Sequence, residues 1–193
     1  MNYTFPKEDF VDGRFVPNAA GLVRYAQWAL HAPHVYLWDG NGHYLTEELL
    51  QKLAAQYPDW YKPDRLAVRL RLSGRGIRGW DCIGLIKSYL WGDYSQERPD
   101  GYREETDYCT RTLRADESLF FGEISDLPEV PGLVLWKQGH VGIYEGGGNV
   151  LECTFGGYGE GELIGGVMRT RLSERPWEKW VCFPGIAYPD GLK

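Results

Sequence analysis

The chain has 193 residues, 43% of them hydrophobic and 25% charged, which is enough for one domain with a substantial core. Its formal net charge is −6 and its basic residues are interspersed with acidic ones, which excludes the concentrated positive stripe that nucleic acid demands of a partner. Cys82, Cys109, Cys153 and Cys182 form no C-x-x-C pair, which excludes a zinc knuckle and a disulfide scaffold and leaves thiols free for chemistry.

The opening "MNYTFPKEDFVDGRF" lacks a basic n-region and an apolar h-region, and no later run approaches bilayer length, so neither export nor membrane insertion is expected. The first helix is expected from Asn18 onward in "NAAGLVRYAQWALHA", where Leu22, Tyr25, Ala26 and Ala29 recur at helical spacing. A second is expected over residues 46–57, with Thr46 as N-cap, Glu47 and Glu48 in the first turn, and Pro58 as the stop. "GWDCIGLIKSYLW" forms the third. Asp81 caps it, and Ile83, Ile86 and Leu90 make its apolar stripe. A short helix is expected over residues 107–113.

From residue 129 onward the hydrophobic period changes to two, with Gly-rich turns between short apolar runs. Strands are expected at "HVGIY", "VLECTF", "GGVMRTRL" and "KWVCFPGIAY", with "SERPWE" as a polar connection. Helices precede sheet, so the fold class is α+β rather than alternating βαβ, in a single domain spanning residues 1–193. Across "EGGGNV", a loop of Gly146, Gly147 and Gly148 pairs Glu145 with Asn149 and sets Gly142 opposite Glu152. That register gathers Val141, Ile143, Leu151 and Cys153 on one face and puts His140 and Glu152 on the other as diagonal neighbours, roughly 7–8 Å apart at the backbone.

Cys82 falls at the first helical position, where unpaired N–H groups and the helix dipole favour a thiolate and can receive a developing oxyanion. The alternative is a small buried hydrophobe. A thiolate needs a base, and of His31, His34, His43 and His140 the last has the best context, with Glu152 placed to orient its ring. The His31, His34 and His43 set does not read as a metal site, because Pro33 breaks the helix and no H-E-x-x-H pattern occurs. "GGYGEGELIGG" lacks the Gly-Lys-Ser/Thr of a phosphate loop and reads as a loop edging the cleft. Trp38, Trp80, Trp91 and Trp136 are expected mainly in the core.

At these residues the sequence resembles the NlpC family of papain-like cell-wall cysteine peptidases. "DCIGLI" is similar to the family's Asp-Cys-Ser-Gly-Leu helix start, "GHVGIYEGGGNVLEC" to its His-Val-Gly-Ile-Tyr strand, turn and following strand, and "VYLWDG" to its Tyr-x-Trp-Gly-Gly. The resemblance implies a papain-like fold and no cofactor or metal. It implies Cys82 as nucleophile, His140 as base, Glu152 as third member and Tyr36 as an oxyanion donor, with Asp81, Trp38 and Ile83 as substrate contacts. Three departures stand out. Ile83 replaces a small Ser, Asp39 replaces the first Gly after Trp38, and residues 41–79 are an insertion read as a wall or lid over the cleft, or else as a peripheral helix.

The implied activity is hydrolysis of peptidoglycan stem peptides at an amide such as γ-D-glutamyl-diaminopimelate or -lysine. The implied partner is peptidoglycan or a muropeptide, with no nucleic acid and no membrane embedding. The alternatives are the same triad acting on a muramoyl-L-alanine amide, a protein or a lipid ester, and a non-catalytic wall-binding module. A wall substrate without an export signal suits a phage-type lysin or a cytoplasmic recycling enzyme.

Overall fold

The computed structural model describes residues 2–92, 102–155 and 164–192. In chain order it contains β1 (Phe10–Val11), β2 (Arg14–Phe15), α1 (Ala19–His31), β3 (His34–Tyr36), β4 (Asn41–Tyr44), α2 (Glu47–Gln56), α3 (Pro63–Leu72), β5 (Arg78–Trp80) and α4 (Gly84–Leu90). These are followed by α5 (Thr110–Ala115), β6 (Phe121–Glu123), β7 (Val134–Lys137), β8 (His140–Gly146), β9 (Asn149–Thr154), β10 (Gly166–Arg171) and β11 (Lys179–Val181). The class is α+β, as expected. Most of "GGYGEGELIGG", the loop expected to edge the cleft, lies outside the described residues. None of the described helices is long and apolar enough to cross a membrane.

The caps legible in the sequence form. Asn18 accepts from the Gly21 N–H and Thr46 from the Leu49 N–H, each satisfying an orphan donor of its helix. The helix expected over residues 107–113 sits later, at Thr110–Ala115, because Cys109 and Thr112 exchange a capping box that starts it there. Helix α3 was not anticipated. Proline at its first position and Arg69 and Arg71 in its last turn suit a helix start and end, but its apolar stripe is thin.

The second half folds into a six-stranded antiparallel sheet in the order β10-β9-β8-β7-β11-β6. Val141, Ile143, Leu151, Cys153 and Val167 face α1 and α4, in one core with Leu22, Tyr25, Leu85 and Ile86. The opposite face carries Leu133, Leu135, Tyr144, Val150, Trp177 and Trp180 in a second core. Both faces are therefore buried, rather than one being solvated.

The β8–β9 turn corrects one expectation. Ile143 pairs with Leu151 and Tyr144 with Val150, as the alternation requires, but Asn149 pairs with Gly146 rather than Glu145. A bulge at Glu145 absorbs one residue, so the loop is two residues, Gly147 and Gly148, at φ of 57° and 73°. A two-residue loop thus keeps the faces segregated, which without the bulge it would not.

A smaller sheet has the order β3-β5-β4, with β3 parallel to β5. It sets Tyr36 beside Trp80, two residues before Cys82. Residues 41–79, as α2 and α3, pack Leu50, Leu53 and Tyr61 with Val35, Leu37 and Leu45 in a third core on this sheet.

Candidate active site

The turn that carries Cys82 is held from three sides. Asp81 Oδ1 accepts from the Gly84 N–H at 2.6 Å, the third-residue bond of an N-cap, and Asp81 Oδ2 accepts from the Asp39 N–H at 3.1 Å. The Asp81 N–H donates to the Gly40 carbonyl at 2.9 Å. Gly84 sits against that same carbonyl so closely that an added Cβ would overlap the Gly40 oxygen and stand 2.9 Å from Asp81 Oδ1. Asp39 is in the left-handed region, φ 62°, a conformation that glycine adopts freely and aspartate tolerates.

Cys82 is 8% exposed and lies against the α1/α4 core. Its sulfur sits at the N–H groups of Val141, Ile83 and Cys82 itself, which favour the anion, but burial and then the charge of Asp81 outweigh them and push the thiol up to about 12. This corrects the expectation of a stabilised thiolate. Nor is Cys82 at the first helical position: it lies in the turn before α4, which begins at Gly84, and its group rests as a neutral thiol.

His140 opens β8, immediately before Val141. Its Nε2 is 2.6 Å from Glu152 Oε2, and its ring stacks on Trp177 with centroids 5.6 Å apart and planes 19° apart. With Glu152 as acceptor, Nε2 carries the proton and Nδ1 is left with no partner among the described residues. The sulfur thus lies at the backbone N–H of Val141 and the imidazole is carried by the preceding residue of β8, with no hydrogen bond joining the two among the described residues.

Glu152 is 1% exposed. Its Oε1 accepts from the Thr170 hydroxyl at 2.7 Å and from Arg175 Nε at 3.1 Å. Burial pushes its carboxyl up, but the hydrogen bonds from His140 and Thr170 and the charges of His140 and Arg175 outweigh burial and hold it below the usual range. Three contributors here were not singled out in the sequence. Thr170 sits two residues from Met168, which pairs with Glu152, so strand alternation puts it on the same face and offered the signal. Arg175 and Trp177 lie in "SERPWE", whose polar composition gave none.

Tyr36 is 7% exposed, its ring against Trp60 and Phe155. Burial first, then the charges of Asp81, Cys82, Cys153 and Tyr61, hold its hydroxyl well above the usual phenol range, protonated and able to donate. The hydroxyl has no hydrogen-bond partner among the described residues. The turn that carries it, tied to Trp80, Asp81 and Gly165 by backbone bonds, is braced further by the insertion. Arg69, fully buried, donates to the Tyr36 carbonyl from Nε at 3.1 Å and Nη2 at 2.7 Å, the Tyr61 hydroxyl donates to the Trp38 carbonyl at 2.8 Å, and the Tyr57 hydroxyl donates to Asp39 Oδ2 at 3.0 Å. Residues 41–79 are therefore a buttress of the site wall, not a peripheral appendage.

The expected substrate contacts divide. Trp38 is 43% exposed, unlike the buried Trp80, Trp91 and Trp136. Ile83 is 4% exposed and part of the core, which corrects its expected role. Asp81 engages each carboxylate oxygen with a backbone N–H, of Gly84 and of Asp39, and so ties the turn before α4 to the Trp38 turn, and burial raises its carboxyl to about 6. A groove lined by Ser118, Phe120, Phe183 and Pro189, among others, contains none of these residues. Among the described residues no cluster of His, Cys, Asp and Glu is arranged to hold a metal ion. Comparison with protein-family models and with curated proteins finds no match to the chain.

Proposed function

We propose that the chain is a papain-like cysteine peptidase of the NlpC kind that hydrolyses amide bonds in peptidoglycan stem peptides, with γ-D-glutamyl linkages to diaminopimelate or lysine as its substrate class. The observation that carries this reading is the sulfur of Cys82 at the N–H of Val141, one residue from an imidazole whose far nitrogen is fixed by a buried, ionised carboxylate. Nδ1 of His140 takes the Cys82 proton as sulfur attacks the carbonyl carbon, and returns it to the departing amine. Glu152 holds the tautomer and stabilises the imidazolium. The Cys82 N–H and the Tyr36 hydroxyl receive the oxyanion. Water then repeats the sequence on the thioester.

The buried, neutral thiol favours a second reading, a wall-binding module without turnover. Purified walls separate the two. The peptidase releases free amines and Cys82→Ala abolishes the release, whereas equal release by both proteins, or none by either, rejects the assignment.

A further inference from the structure

Beyond the turn that carries Tyr36, the insertion presents an aromatic and cationic surface that the steps at Cys82 do not use. Trp38 stacks on Trp60 with centroids 6.3 Å apart and planes 26° apart, and Trp60 lies 5.8 Å from the Tyr36 ring. Arg65 of α3 lays its guanidinium 5.4 Å from the Trp60 centroid and 4.6 Å from that of Phe155. One N–H reaches the Trp60 carbonyl at 3.3 Å; its other guanidinium donors meet no acceptor, and no carboxylate pairs with it, among the described residues. Stacking on two rings fixes the orientation of the guanidinium without neutralising its charge, and its planar fork of donors matches a carboxylate. The neighbouring Arg69 lays its own guanidinium 4.6 Å from the Trp60 centroid and donates to the carbonyls of Tyr36, Arg65 and Ile164. On a chain of net charge −6, this is a localised positive spot beside the site wall.

We propose that this surface is a substrate subsite in which Trp38 and Trp60 form an apolar floor and Arg65 receives a carboxylate on the acyl part of the substrate. The inference rests on the peptidase reading and adds what the enzyme recognises. Separations of 5.8 Å and 5.4 Å link the Tyr36 ring to the Arg65 guanidinium by way of Trp60, so a charge carried by the same residue as the carbonyl that meets the Tyr36 hydroxyl is the one within range of Arg65. In a γ-linked glutamyl substrate the α-carboxylate stands free on the acyl side of the scissile bond, so its charge is the group available to be read.

The test measures binding and turnover separately. Cys82→Ala protein is titrated by calorimetry with the peptide L-Ala-γ-D-Glu-L-Lys and with its glutamyl α-carboxamide. The carboxylate peptide binds about tenfold tighter, the scale of one charge-assisted hydrogen bond, and adding Arg65→Gln brings the ratio of the two affinities to near one. Equal binding of both peptides, a preference that survives Arg65→Gln, or no binding of either overturns the subsite. Unmodified protein is then given the same peptides. Cleavage without a carboxylate preference defeats the subsite and leaves the peptidase; selective binding without cleavage defeats the peptidase and leaves the subsite.

Discussion

Replacing Glu152 tests the buried end of the site. The carboxylate accepts from His140, Thr170 and Arg175, and it is almost inaccessible to water. Glu152→Leu leaves three donors facing hydrocarbon, and breaking a buried pair in this way costs about 3–5 kcal/mol. Glu152→Gln keeps an oxygen for His140 and an amide that the Thr170 hydroxyl can accept from, but turns N–H against N–H at Arg175. Because the Arg175 side chain is 28% exposed and can turn to solvent, that loss is held to about 1–2 kcal/mol. The pH dependence has a defined sign. The folded carboxyl is held below its unfolded value, so its contribution is full above the unfolded pKa and fades as pH falls through the folded one. Urea unfolding at pH 7 and again in the acid range should therefore show the gap between the native protein and Glu152→Gln narrowing as pH falls. A gap independent of pH, or Leu tolerated as well as Gln, would refute the reasoning.

Gly84→Ala drives a methyl group into the Gly40 carbonyl; it should cost about 1–3 kcal/mol in urea unfolding and lower wall hydrolysis, because the displaced turn carries Cys82. Arg69→Met removes both bonds to the Tyr36 carbonyl, and on a cleavable peptide kcat should fall more than KM rises, with Arg69→Lys recovering part of the loss. Timed iodoacetamide labelling at neutral pH, read by peptide mass, should modify Cys109 well before Cys82. Slight burial pushes the Cys109 thiol up, but the hydrogen bonds of Thr112 and the charge of Arg111 bring it below its ordinary value, whereas Cys82 stands at about 12. Asp81 titrates in the opposite sense to Glu152: its carboxyl is raised to about 6, so protonation below that pH relieves a cost, and Asp81→Asn should remove a gain in stability seen on mild acidification.

The site's frame was legible where one local rule determined the outcome. Asn18 and Thr46 cap as their types suggest, and the alternation in "HVGIY" and "VLECTF" was enough to put His140 and Glu152 on one face. The turn was legible only in part, because a bulge and a longer loop give the same register and only backbone geometry distinguishes them. The state of Cys82 was not legible. Helix-start amides can be read from "DCIG", but the burial that opposes them depends on what packs above, including Val141 and Cys153 from distant strands. Nor were the braces on Tyr36. Arg69 looks like a surface residue of a charged helix until the fold sets it beneath the Tyr36 carbonyl, a long-range contact that no periodicity encodes.

The most direct test of Cys82 as nucleophile is to quench a reaction with stem peptide in acid within one turnover and weigh the intact protein. The account predicts a mass increase equal to the substrate's acyl fragment, mapped to the peptide containing Cys82 and lost in Cys82→Ala. Product formation with no adduct, undiminished in Cys82→Ala, would contradict it.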